Sequence, residues 1–153
     1  MSGDLKSVSP RKAVPIESGY VNLEEAFPVV NPNFIPVGNK ILLQIRTPKK
    51  KSSGGILLVE ETREVDKWQS QVAKVITLGP VAFCNRNSLE KWPEGEWCNP
   101  GQFVRVPLYG GDRWYQKINP DDVNSDEAIF LVIKDTDVIG VVPDPLSVIA
   151  FIN

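Results

Sequence analysis

The 153-residue chain contains no histidine, and that absence shapes every chemical reading of it. Imidazole is the commonest general base at neutral pH, the partner in Ser-His and Cys-His nucleophile pairs, and the commonest metal ligand. Among the groups that remain, Cys84 and Cys98 are too few for a disulfide scaffold or a four-thiolate zinc site. They flank a long loop and could face each other across its base, but free, packed thiols are the better reading in a reducing compartment. Adjacent acids occur at Glu60-Glu61 and Asp121-Asp122. Neighbours on an extended chain point to opposite sides, so neither pair shares a substrate by spacing, and solvated turn residues fit better. No metal site, no cofactor site and no catalytic residue emerges, and the chain is expected not to be an enzyme.

Binding chemistry leaves more to weigh. Lys49 to Lys51, with Arg46 upstream and Trp68 downstream, could make a small nucleic-acid contact of basic residues plus a stacking ring. Against this, 17 Lys+Arg face 19 Asp+Glu, and the same stretch carries Glu60, Glu61, Glu64 and Asp66, so a solvated loop flank is preferred. "SSGG" (52 to 55) is no phosphate loop, since no Gly-Lys-Ser/Thr follows it. Trp92, Trp97, Trp114 and Tyr115 could stack a ligand, but large rings more often fill a core or a subunit contact. There remains "GGILL" (54 to 58). Ile56, Leu57, Leu58 and Val59 suit either a buried strand opened by a glycine turn or an apolar display that enters a groove on a partner. Pattern alone leaves both open.

The elements that must position these residues are short. Residues 1–35 hold Pro10, Pro15, Pro28 and Pro32 at spacings that forbid a long helix, and read as an extended arm with little apolar area to bury. Within it "VNLEEAF" (21 to 27) can make one or two helical turns capped by Asn22, if something packs against them. From Pro36 the pattern changes to strand-like runs at 40–46, 71–79, 102–107, 113–117, 128–133 and 138–143, the rhythm of an all-β sandwich or barrel. In the first run Ile41, Leu43 and Ile45 share one face, while Leu42, Gln44 and Arg46 share the other; Leu42 weakens the alternation. "GGD" (110 to 112) reads as a hairpin turn between two runs, and "KDTDV" (134 to 138) as a single helical turn. Two long stretches, 47–70 and 80–101, break the rhythm and exceed the usual connection length. No apolar stretch reaches the roughly 18 residues of a membrane helix, and no signal-peptide core is seen, so neither nucleic acid nor membrane is an expected partner and the cytoplasm is the expected location.

The order of these features resembles the GroES-type co-chaperonins, the lids of barrel-shaped protein-folding chaperonins. "PVGNKILLQI" (36 to 45) is similar to the family's opening strand, and "SSGGILL" (52 to 58) to its mobile-loop motif of small residues, two glycines and an aliphatic triplet. "QVAKVITLGP" (71 to 80) resembles the strand after that loop, closed by a glycine. "NPGQFVRVPLYGG" (99 to 111) and "EAIFLVIKDTDVIGVV" (127 to 142) are similar to the later strand and turn patterns. The resemblance spans about positions 36 to 142, and five motifs in order carry it.

The resemblance implies a small, irregular GroES-like β-barrel over 36–143, with a mobile loop at about 48–70 and a roof hairpin at about 81–100. It implies a ring of about seven subunits, paired between neighbours through the terminal strands at 40–46 and 138–142, that caps a GroEL-type chaperonin over an enclosed folding client. Gly54 and Gly55 would keep the loop flexible, and Ile56, Leu57 and Leu58 would dock on the chaperonin, which itself hydrolyses the ATP. Three features depart from the short bacterial members: the N-terminal arm, the longer mobile loop, and the C-terminal extension 144–153. Longer loops are similar to those of bacteriophage-encoded co-chaperonins, which would place the protein in a host cytoplasm. The competing reading is the same barrel used as a structural ring or decoration component of a larger phage particle.

Overall fold

The computed structural model describes residues 22–47 and 70–147. It is nearly all-β. A four-residue helix α1 (Leu23–Ala26) precedes strands β1 (Lys40–Ile45), β2 (Val72–Leu78), β3 (Phe103–Arg105), β4 (Asp112–Lys117), β5 (Glu127–Lys134) and β6 (Gly140–Val141). All six runs expected from the sequence form strands, and Asp135–Asp137 make the expected single turn, of 3-10 type. The strands join one antiparallel sheet in the order β4-β5-β1-β2-β3-β6.

β1 is the centre of this sheet because both of its faces find apolar partners. Ile41, Leu43 and Ile45 lie in the main core with Ala73 and Val75 of β2, Val104 of β3, and Ile129, Leu131 and Ile133 of β5. Leu42, the residue that disturbs the alternation, is also fully buried, in a second cluster with Ala128 and Phe130, where Val30, Ile76, Trp114 and Val132 pack around it. A bulge opposite Leu42 and Leu43 leaves Ile76 without an opposite number and bends β2, the strand that carries the extra residue. The burial of Leu42 contributes about 2 kcal/mol and depends on what covers the outer face.

That cover is the segment before β1. The Gln44 side chain donates Nε2–H to the Pro28 carbonyl at 2.8 Å, and Gln116 donates to the Asn31 carbonyl at 2.6 Å. The rings of Phe34 and Trp114 lie 5.0 Å apart, with Trp114 in turn 5.8 Å from Phe130. In α1, Asn22 caps as expected: its Oδ1 accepts from Glu25 N–H at 2.9 Å, satisfying one of the free donors of a helix start. Tertiary contacts hold the helix, since Ala26 and Phe27 are buried. The described part of the arm therefore buries more than its proline spacing suggests.

The sheet is strongly curled. Arg113 on β4 donates from both terminal nitrogens to the Ser70 carbonyl, just ahead of β2, at 3.3 Å. β4 and β2 are three strand positions apart, roughly 14 Å in a flat sheet, which is further than a side chain spans. The two ends, β4 and β6, are not paired with each other among the described residues. The described residues thus form a curled sheet rather than a hydrogen-bonded closed barrel.

Two expectations need correction. "GGD" does not turn a hairpin, because β3 pairs with β2 and β6 while β4 pairs with β5, so the chain crosses from one end of the sheet to the other. Gly111 serves a close approach instead: at φ 74 a Cβ there would sit 2.5 Å from the Val132 carbonyl oxygen. Nor can β1 pair with a neighbouring subunit, since β2 and β5 occupy both its edges. Among the described residues β6 pairs only with β3.

Candidate functional site

The docking residues expected from the sequence, Gly54, Gly55, Ile56, Leu57 and Leu58, lie outside the described residues, as do Lys49 to Lys51 and Glu60-Glu61. What the structure shows is the root of that segment. β1 and β2 are antiparallel neighbours, and Arg46 donates its backbone N–H to Val72 at 2.9 Å, so the chain leaves and returns side by side. Both flanking residues, Thr47 and Ser70, are buried. Thr47 N–H donates to the Ala26 carbonyl at 2.8 Å on the outgoing side, and Arg113 grips the Ser70 carbonyl on the return. Burial lowers the Arg113 pKa below its ordinary value, and the guanidinium stays charged.

The root also holds a buried cation. Arg46 is 3% exposed and donates from Nη1 to the Pro145 carbonyl at 2.8 Å, tying the C-terminal segment to the end of β1. Sequence reasoning gave Arg46 only as an upstream basic residue beside Lys49 to Lys51 and missed Arg113, because an arginine at a strand end ordinarily reads as a solvated flank. Only the placement of Arg46 on the outer face of β1, beside Leu42 and Gln44, hinted that this face is covered.

The second long stretch contains a short hairpin. Cys84 and Lys91 form an antiparallel bridge, Asn85 N–H donates to the Glu90 carbonyl at 2.7 Å, and Trp92 N–H to the Phe83 carbonyl at 3.0 Å. Lys91 and Glu96 pair beyond it, which raises the lysine pKa and lowers the carboxylate. Phe83, Trp92 and Trp97 pack ring to ring, with centroids 5.0 to 5.9 Å apart, on the main core. Trp92, Trp97 and Trp114 are packing residues here; Tyr115 is exposed on β4. Cys84 lies opposite Lys91, and both thiols are free. Asp121 and Asp122 belong to the turn after β4, where Asn119 Oδ1 accepts from Asp121 N–H and Asp122 Oδ1 from Asn124 N–H. Among the described residues no group of three or more Cys, Asp or Glu comes together as a metal site, and no helix is long and apolar enough to cross a membrane.

A curled antiparallel sheet with a long excursion rooted between its two central strands is a GroES-like β fold. Comparison with known proteins agrees. The chain is 28% identical over 108 residues to the co-chaperonin GroES of Lactococcus lactis subsp. cremoris strain SK11, covering 70% of this chain and 96% of the relative. To the co-chaperonin GroES of Caulobacter vibrioides strain NA1000 it is 28% identical over 110 residues, covering 71% of this chain and 96% of the relative. To that of Lachnoclostridium phytofermentans it is 25% identical over 111 residues, covering 72% and 97%. No protein-family model matches the chain. Over about 70% of its length the chain is thus similar to curated GroES-type co-chaperonins.

Proposed function

We propose that this protein is a co-chaperonin that caps a GroEL-type chaperonin ring and assists ATP-dependent folding of an enclosed client. The observation that carries the reading is coverage: nearly the whole length of each relative named a co-chaperonin aligns within this chain. Docking is assigned to Ile56, Leu57 and Leu58, preceded by Gly54 and Gly55, in a segment whose two ends the sheet holds together. An apolar triplet offered from a loop fits a groove between partner helices. The protein performs no bond chemistry of its own in this cycle; ATP hydrolysis belongs to the chaperonin, and the site of action is the cytoplasm.

The reading includes a ring of about seven subunits. Support comes from β6, paired on one edge only among the described residues, with Ile139 59% and Val141 49% exposed, and from Ile35 and Val37 ahead of β1, 82% and 70% exposed. Apolar β-forming residues exposed at separate places suit a head-to-tail contact, which closes into a ring. Native mass spectrometry reads the subunit number directly.

The functional test mixes the purified protein with a GroEL-type chaperonin, with and without ATP or ADP, and follows both complex formation and recovery of a denatured client. Nucleotide-dependent binding with improved recovery is expected. Stable rings that ignore the chaperonin in every nucleotide state would leave a structural ring as the function and end the lid reading.

A further inference from the structure

Two segments outside positions 36 to 142 meet at the root of the 48–69 segment. From the N-terminal side, the Ala26 carbonyl accepts the Thr47 N–H at 2.8 Å. From the C-terminal side, the Pro145 carbonyl accepts from Arg46 at 2.8 Å. They also touch each other's surroundings: Ala26, Phe27 and Val72 form one buried cluster, against which Phe103 and Leu146 pack, with the Phe27 and Phe103 rings 5.0 Å apart. Arg46 and Thr47, the last two residues before the excursion, are thus gripped from both chain ends at once. A four-residue helix has no stability of its own, so α1 sits where Phe27 and Leu146 hold it.

We propose that α1 with Phe27, together with Pro145 and Leu146, is a clasp that positions the docking segment by fixing the backbone at Thr47. The proposal rests on the docking role assigned above to Ile56, Leu57 and Leu58. Its physical basis is entropic. A segment whose root is held in one geometry starts from fewer conformations and loses less freedom when its tip is captured. Loosening the clasp lowers docking affinity although no clasp residue touches the partner. Phe27, Pro145 and Leu146 are then positioning residues, and the sequence beyond the family-like part acts on the partner contact from behind.

The test uses the full chain and three variants. Asn22→Ala removes the cap that accepts Glu25 N–H and leaves the apolar cluster intact; Phe27→Ala removes the ring; Phe27→Leu restores apolar bulk. Hydrogen exchange at Thr47 is compared with that of β5, and affinity for the nucleotide-bound chaperonin is measured for each. Asn22→Ala should speed exchange at Thr47 while β5 stays protected, Phe27→Ala should speed it more at Thr47 than at β5, and both should weaken docking roughly 2- to 30-fold, the span of couplings carried by residues remote from a ligand. Phe27→Leu should recover most of both effects. If Phe27→Ala fails to fold, Asn22→Ala carries the test. Faster exchange at Thr47 with unchanged affinity, or unchanged exchange at Thr47, overturns the clasp. A parallel Leu57→Asp variant that still docks would instead remove the docking role itself, and the exchange data would show separately whether the segments grip Thr47.

Discussion

Asp135 pins Phe83. Its Oδ2 accepts the Phe83 backbone N–H at 2.8 Å while its Oδ1 accepts from Asn39 at 3.3 Å, and Asp135 is 2% exposed. Phe83 is held at φ 60, a left-handed conformation that a bulky residue adopts only when its surroundings impose it. The turn after β5 thereby fastens the start of the 84–91 hairpin and sets the Phe83 ring against Trp92 and Trp97. Asp135→Ala strands a buried N–H and should cost about 2 to 4 kcal/mol in urea unfolding, and Asp135→Asn, which keeps an acceptor, about half that. Equal, small losses would show that the hairpin holds itself.

Gly79 is required by crowding and Gly101 by backbone conformation. A Cβ on Gly79 would lie 2.4 Å from the Gly38 carbonyl oxygen and 2.6 Å from that of Lys40, both backbone atoms. Gly101, at φ 94, has open space around it. Gly79→Ala should therefore cost at least about 3 kcal/mol, because the end of β2 must separate from the turn before β1, and Gly101→Ala about 1 kcal/mol. Comparable losses at the two positions would contradict the distinction.

Burial pushes the Cys98 thiol up to about 11, against about 9 for the unfolded chain. A raised thiol pKa means that the folded state keeps its proton where the unfolded state has lost it. The stabilising preference is fully present below pH 9 and is lost as pH rises through 11. The melting temperature should fall over this range, and fall less in Cys98→Ala. Alkylation should reach half-buried Cys84 first and Cys98 only on unfolding. Rapid labelling of Cys98 in the native protein would contradict its placement.

A chain shortened to begin at Asn33 should be destabilised. It loses Ala26, Phe27 and Val30, and the Phe27 ring alone is worth about 3 to 5 kcal/mol by comparison with core Phe→Ala changes. The shortened chain should also bind a hydrophobic dye over Leu42 and Phe130, which Val30 helps to cover. An unchanged melting temperature without dye binding would mean that the arm is a free tether.

The strands were legible because their signal is local. Ile41, Leu43 and Ile45 alternate, Gly79 ends β2, and the turn at Asp135–Asp137 lies where charge interrupts two apolar runs. What the sequence hid was long-range. Leu42 looked like an irregularity because part of its cover, Val30, comes from a stretch whose prolines and polar residues read as a tether. The glycines at 110 and 111 carry the same positive φ in a crossing connection as in a hairpin, so the pairing of β4 with β5 could not be read from them. Arg46 and Arg113 reach backbone carbonyls, which leave no mark in a sequence. The resemblance supplied the proposed docking triplet, and the fold supplied the root of the segment that carries it.

The measurement that bears most directly on the proposed lid function is capture of a GroEL-type chaperonin by the parent protein and by Leu57→Asp, each in ATP, in ADP and without nucleotide. A carboxylate cannot enter an apolar groove without losing its hydration, and in the proposed ring several identical docking segments would multiply each loss. The parent should bind in nucleotide alone, and Leu57→Asp should bind more than roughly 100-fold more weakly while its stability stays within about 0.5 kcal/mol, as for a surface change. Undiminished capture by Leu57→Asp, or a collapse of its melting temperature like that of a core variant, would contradict docking through the triplet.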